Sequence, residues 1–226
     1  MKKTIGIITI LIMMLIGLTG CLNIDYEVVI KSNGSGEISY VCGISKEALQ
    51  SVDTTSEEFL SSLRKQAEDN KYKTTNYEDE KVEGFKATKK IKDITKDLSL
   101  EEAFGKSYIE DKEENAIRIN KNFYNVQISQ NAKIDLTSLD DMESIVQMTY
   151  KVRLPIKATS SNATEVSKNH KVLTWKLVGG QINNIEFTAN KVNTTPIICI
   201  VLLLLIIIAA VVYLVIYIKK KKVTKE

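Results

Sequence analysis

The chain has 226 residues, 31 Lys and Arg against 28 Asp and Glu, one His and three Cys. Its formal net charge of +3 mixes distinct environments. Removing the seven Lys and one Glu of the two terminal segments described below leaves 24 basic and 27 acidic residues in between, about −3. A mildly acidic region with both signs interspersed excludes a nucleic-acid footprint and gives no global attraction to anionic lipid, so any lipid contact has to be local. A single histidine, His170, in the polar stretch Ser167-Lys168-Asn169, leaves a catalytic triad or a His-rich metal site almost nothing to work with.

From the N-terminus, Lys2 and Lys3 followed by the apolar run Thr4 to Gly17 have the anatomy of an export signal. Leu18-Thr19-Gly20-Cys21 closes that run with small residues before a cysteine, the pattern of a bacterial lipobox. Residues 1–20 are therefore expected to be a lipoprotein signal peptide, and Cys21 the lipidation site, acylated with a palmitate-type anchor. The alternative is an uncleaved signal anchor, which Gly17 and Gly20 weaken.

The outer domain is expected over residues 21–195. Ile24, Tyr26, Val28 and Ile30 alternate with mostly polar residues, Asn33-Gly34-Ser35-Gly36 supplies a turn, and Ile38, Tyr40 and Cys42 resume the alternation, which predicts a β-hairpin. Between Ser45 and Asp69 apolar residues recur every three or four positions (Ala48, Leu49, Val52, Phe59, Leu60, Leu63), predicting one long helical segment over 46–67. Thr55 with Glu58 fits a capping box, so that segment has a natural break near Asp53–Thr55. Tyr72 to Lys92 reads as strand, Leu98 to Phe104 as a short helix, and Glu110 to Asn115 as a solvated turn.

Phe123, Val126 and Ile128, then Ile134 and Leu136, continue the alternation. Val146, Met148, Tyr150, Val152 and Leu154 form a period-two row that Pro155 ends. Leu173, Trp175 and Leu177 make another row, with Ile185, Phe187 and Ala189 expected in its partner strand across Gly179-Gly180 and Asn183-Asn184. The fold class is α+β: an antiparallel curved sheet with one long helical segment, plus a C-terminal transmembrane helix.

That helix is expected over residues 196–218, where the uncharged stretch Ile197 to Ile218 is about 33 Å long as a helix. Lys219 to Lys222 begin a basic tail, 219–226, which the positive-inside bias puts in the cytoplasm and the domain outside. Because so few residues separate the domain from either anchor, both of its ends are expected to meet one membrane face.

Of the cysteines, Cys21 is assigned to lipid and Cys199 to the span, which leaves Cys42 without an intradomain partner and reads as a small core residue. Asp140, Asp141 and Glu143 lack the spacing of a calcium loop, so neither metal nor cofactor is expected. Ser35 and Ser160–Ser161 have no neighbouring base. Trp175 reads first as core. If the sheet curls around segment 46–67, Tyr150, Trp175 and Phe187 line an apolar cleft for an acyl chain or glycolipid.

These features together resemble the LppM-type lipoprotein domain family of Gram-positive bacteria: a lipobox cysteine just before a hairpin of the form Asp25-Tyr26-Glu27-Val28 and Asn33-Gly34-Ser35-Gly36-Glu37, then Leu154-Pro155, Ser161-Asn162-Ala163 and Leu173-Thr174-Trp175-Lys176-Leu177, then a span and a basic tail. Ile156 stands where the pattern has a glycine. The resemblance implies a surface lipoprotein of mixed sheet and helix, shaped like lipid-binding modules, with no enzymatic activity and no catalytic residue. The function expected is a non-catalytic binding module for a lipid, glycolipid or envelope polymer at the outer leaflet. The alternative is an interaction or scaffold subunit of a membrane protein complex, its span packing against a partner's helices.

Overall fold

A computed structural model describes residues 22–46, 55–98, 117–142 and 146–223. The signal segment with Cys21, the predicted Leu98–Phe104 helix beyond residue 98, the charged turn at 110–115 and the end of the tail lie outside the described residues, as does the first part of the helical segment, 47–54.

The first hairpin forms as its alternation predicts. β1 (Leu22–Ile30) pairs antiparallel with β2 (Gly36–Ser45) in register, Leu22 opposite Ile44 and Ile30 opposite Gly36. The next element is α1 (Thr55–Asp69), which starts at the expected capping position. It turns Leu60 and Leu63 toward the core and buries Ala67, then ends where Lys71 takes a left-handed conformation and the Tyr72 amide donates back to the Ala67 carbonyl. β3 (Lys73–Glu78) and β4 (Val82–Ile91) make a second hairpin, turned by Asp79, whose carboxylate accepts from the Lys81 and Val82 amides. A four-residue turn of helix, α2 (Ile94–Asp97), follows, capped by Asp93 through the Thr95 amide.

β5 (Arg118–Lys121) and β6 (Asn125–Asp135) form a third hairpin, then β7 (Val146–Arg153), β8 (Ala158–Ser161), the two-residue β9 (Glu165–Val166), β10 (Val172–Leu177) and β11 (Ile182–Val192) lead into α3 (Thr194–Val223).

The strands do not make one antiparallel sheet. They divide into a seven-stranded sheet, β3-β4-β2-β1-β7-β10-β9, and a four-stranded sheet, β5-β6-β11-β8. The larger is mixed, because β1 and β7 run parallel with Leu22 beside Val146 and Tyr26 beside Tyr150. Period-two patterning reports which face of a strand is apolar and is silent about direction, so a parallel pair between segments this far apart in sequence left no mark.

Trp175 and Phe187 are likewise not on partner strands. β10 pairs with β7 and β9, and β11 with β6 and β8. The chain passes from one sheet to the other at residues 178–181, a corner held by the Asn183 side chain, which accepts from the Val178 amide and donates to its carbonyl, and by Gly180 in a left-handed conformation. The two apolar rows read as neighbours in a hairpin therefore face each other across the core.

The core between the sheets is continuous. Tyr26, Val28, Ile38, Phe85, Tyr150, Val152 and Leu173 from the larger sheet, with Ile128, Ile134, Ile185, Phe187 and Ala189 from the smaller, are all buried. Cys42 is buried with them, and burial pushes its thiol up to about 12. Phe123, expected on the inward row, instead occupies the tight β5–β6 turn and is 58% exposed.

Strand direction also fixes where the two ends of the domain lie. Lys121, at the end of β5, donates to the Ser32 carbonyl in the β1–β2 turn, and the Asn193 amide donates to the Tyr124 carbonyl in the β5–β6 turn. The β1–β2 turn, the β5–β6 turn and the start of α3 therefore share one pole. Leu22 begins β1 at the other pole, eight residues from Ile30, or about 26 Å at the usual strand rise. The two ends of the domain do not emerge side by side.

Candidate functional site

The three aromatic residues singled out from sequence lie together in the middle of the sandwich. Tyr26 stacks on Tyr150 with ring centroids 5.8 Å apart, Tyr150 meets Trp175 at 5.8 Å, and Trp175 meets Phe187 at 6.1 Å. All four are buried, so the column covers its own faces. The polar atoms of Tyr150 and Trp175 are matched. The Tyr150 hydroxyl donates to Gln130 Oε1 at 3.0 Å, and burial holds its ionisation above the ordinary tyrosine range.

The Trp175 indole donates from Nε1 to Asn162 Oδ1 at 2.7 Å. Asn162 also accepts from the Glu186 amide at 2.9 Å and donates from Nδ2 to the Asn184 carbonyl at 2.9 Å. One amide side chain thus joins the larger sheet's tryptophan to the backbone of the smaller sheet's central strand. This is the physical content of the Ser161-Asn162-Ala163 and Leu173–Leu177 segments on which the family resemblance rests.

Outside this column, the smaller sheet carries an open groove of about 500 Å³. Strand pairing explains its lining. Arg118 on β5 is opposite Ser129 on β6, Ser129 is opposite Thr188 on β11, and Thr188 is opposite Ser160 on β8. Residues directly opposite in antiparallel pairs share a face, so these four form one polar row across all four strands. Asn131 and Glu186, also opposite each other, add the next outward row. Phe187 and Gln130 close the floor between them, with Ser161 and Asn162 at the edge.

The groove presents hydroxyls, amides, one guanidinium and one carboxylate, and of the three aromatic residues only Phe187 reaches it. Sequence reading missed it because Arg118, Ser129, Ser160 and Thr188 look like ordinary solvated positions on their own strands. Only the register across four strands makes them neighbours. Cys21 lies outside the described residues, and His170 occupies an exposed turn in a left-handed conformation.

At the C-terminus, Thr194–Ile216 is long and apolar enough to cross a membrane and is wholly unburied by the rest of the chain. One residue, Asn193, separates it from β11.

A two-sheet domain with a filled aromatic core, an open polar groove on its smaller sheet and an apolar helix directly continuing its last strand is an architecture compatible with membrane association. The chain belongs to the LppM domain family, whose sequence profile matches residues 23–191. Among solved structures it is similar to the NMR structure of the folded domain of the Mycobacterium tuberculosis LppM protein, with a TM-score of 0.42 and 16% sequence identity over 77% of this chain and 93% of that one. No curated protein matches the chain in sequence. Membership in this lipoprotein family and the apolar helix together fit a membrane-associated lipoprotein.

Proposed function

We propose that the protein is a surface lipoprotein whose outer domain holds the polar part of an envelope molecule, a lipid headgroup, glycolipid or envelope polymer, in the groove of the smaller sheet, without catalysis. The observation that carries this reading is the continuous polar row Arg118–Ser129–Thr188–Ser160 lining an open groove. Hydroxyls and amides at fixed strand spacing suit a polar, hydrogen-bonding ligand, and the guanidinium suits an anionic substituent on it. The aromatic column behind the groove is occupied by its own side chains, which favours the polar part of a ligand over an acyl chain.

Position supports the reading. Ser129 is four residues along β6 from Asn125, at the pole where α3 begins, which is about 13 Å at the strand rise. With Cys21 lipidated and α3 spanning the membrane, the groove is held within reach of headgroup-attached polar chains, the domain outside and the basic tail in the cytoplasm.

The test is native mass spectrometry of the full chain released from its own membrane in detergent, alone and as a Thr188→Tyr variant that fills the groove. A retained ligand of defined mass in the native chain, lost in Thr188→Tyr with the Trp175 emission unchanged, is expected. A chain without ligand, or equal retention by the variant, refutes the groove as the binding site and favours the scaffold reading, in which α3 packs against another protein's helices.

A further inference from the structure

We infer that the β5–β6 turn is a membrane-docking foot: Phe123 and Tyr124 enter the headgroup region of the bilayer beside the base of α3, and Lys31, Lys121 and Lys191 around them meet anionic lipid phosphates. The inference rests on the reading of α3 as a membrane span and adds a second, non-covalent contact to it.

Phe123 and Tyr124 are each 58% exposed, and their rings touch edge to face with centroids 5.2 Å apart. Large apolar side chains in a tight turn of a folded domain are normally turned inward. These two are held outward by the turn itself. The Asn122 carboxamide accepts from the amides of Tyr124 and Asn125 at 2.9 and 2.7 Å, and the Asn122 amide donates to the Asn125 carbonyl. The pair is thus presented by a backbone that is already ordered, so little conformational freedom is lost on insertion.

What covers the pair follows from where the turn is. The Tyr124 carbonyl accepts a 2.7 Å hydrogen bond from the amide of Asn193, and the next residue, Thr194, opens the apolar helix. A turn bonded to the residue that enters the membrane has to lie at the membrane surface. Phe and Tyr, one wholly apolar and one tipped with a hydroxyl, suit the boundary between acyl chains and headgroups.

The charge on the segments that carry the pair and its lysines is of one sign, while Asp93 and Asp97 adjoin the β1–β2 turn, where the Ile94 amide donates to the Gly34 carbonyl. Lys121 and Lys191 flank Val126 from its two sides, one on β5 and the other on β11, and both are exposed. Lys121 reaches the Ser32 carbonyl, which brings Lys31 alongside. The three segments that meet here, 31–35, 121–126 and 190–196, contain no Asp or Glu. A domain that is acidic as a whole therefore turns a local basic, aromatic surface toward its own helix. Each lysine held near anionic phosphates adds to the attraction, which falls off within a Debye length of the surface.

The experiment uses the full chain in vesicles of phosphatidylethanolamine and phosphatidylglycerol, with part of the lipid brominated either high or low on its acyl chains. The native chain has a single tryptophan, Trp175, buried in the sandwich, and supplies the unquenched background. Two variants each add one indole, Phe123→Trp and Leu205→Trp.

Expected is strong loss of the added Phe123→Trp emission with shallow bromines and weaker loss with deep ones, the reverse order for Leu205→Trp, and a weaker Phe123→Trp quench when Lys121→Gln and Lys191→Gln are introduced. Quenching of Leu205→Trp without quenching of Phe123→Trp overturns the docking foot and leaves the span standing. Quenching of neither overturns the span and the foot together. A Phe123→Trp quench indifferent to the lysine changes overturns their part in it.

Discussion

Replacing Asn162 by alanine tests the way the two sheets are joined. The side chain makes three hydrogen bonds, accepting from Trp175 Nε1 and the Glu186 amide and donating to the Asn184 carbonyl. At a net ~1 kcal/mol each the set is worth about 3 kcal/mol, and water reaching this partly exposed edge recovers some of it, so the expected loss is about 2 kcal/mol. For a domain of this size that lowers the melting midpoint by about 4–8 °C. The assay is thermal unfolding of the full chain in detergent followed by the emission of Trp175, the single tryptophan. Asn162→Asp keeps an acceptor for the indole and loses the donor, and is expected to cost about 1 kcal/mol. In a Trp175→Phe background the indole donor is already gone, so Asn162→Ala, followed there by circular dichroism, is expected to cost measurably less than in the native chain. A midpoint unchanged by Asn162→Ala, or equal costs in both backgrounds, refutes the view that this amide clasps the sheets through the tryptophan.

Gly84 pairs with Gly43 across β2 and β4, and a Cβ there would lie 2.1 Å from the Cys42 carbonyl oxygen and 2.5 Å from Gly43 Cα. Because both are backbone atoms, Gly84→Ala is expected to destabilise by about 1–3 kcal/mol in denaturant unfolding; a neutral effect would show that the two strands are further apart than described. Burial raises the Cys42 thiol from 9.0 to about 12, so its neutral form favours the folded state, a contribution complete below pH 9 and lost progressively as pH rises toward about 12. Stability of the native chain measured over that interval is expected to fall more steeply than that of Cys42→Ala, and parallel curves would contradict it. Cys21→Ala is expected to lose a metabolic fatty-acid label while remaining in the membrane fraction through α3; release into the medium would refute the double anchor.

The hydrophobic rows were legible in the sequence because burial of one strand face imposes period two, and Tyr26, Val28, Tyr150, Val152, Leu173 and Trp175 all obey it. Arrangement was less legible. Nothing local distinguishes β7 as a parallel neighbour of β1, since the residues Met148, Tyr150 and Val152 would read the same beside an antiparallel partner. The Gly179-Gly180 connection has the composition of a hairpin turn, and only the Asn183 side chain bonding back to Val178 marks it as a corner between sheets. The groove was invisible for the same reason: two serines, a threonine and an arginine on separate strands become one row only through register. Asn162 was visible as part of a family pattern but not as a clasp, because its partners are 13 and 24 residues away. α2 was not read from the sequence, because a four-residue turn has no periodicity of its own; it forms with Asp93 as its cap.

The polarity of β1 against β11 bears on what two anchors do to this domain. A span alone would let the domain stand on the pole where Asn193 meets Tyr124, with Leu22 about 26 Å further out along β1. Leu22 is paired on both sides, to Ile44 and Val146, so the described domain begins in ordered sheet at that height. On the proposed reading, with lipid on Cys21 and a span at Thr194, both ends of the domain meet one membrane face when the strands lie along the membrane rather than upright on it. In that posture the Phe123–Tyr124 turn still adjoins the helix base, and the proposed lipid would be a second foot at the opposite pole. Under the proposed double anchoring the acyl chains would have a mechanical purpose that retention does not supply, since a transmembrane helix holds a chain more firmly than acyl chains do. On that reading the second anchor would set the tilt of the sandwich and with it the direction in which the groove of the smaller sheet opens.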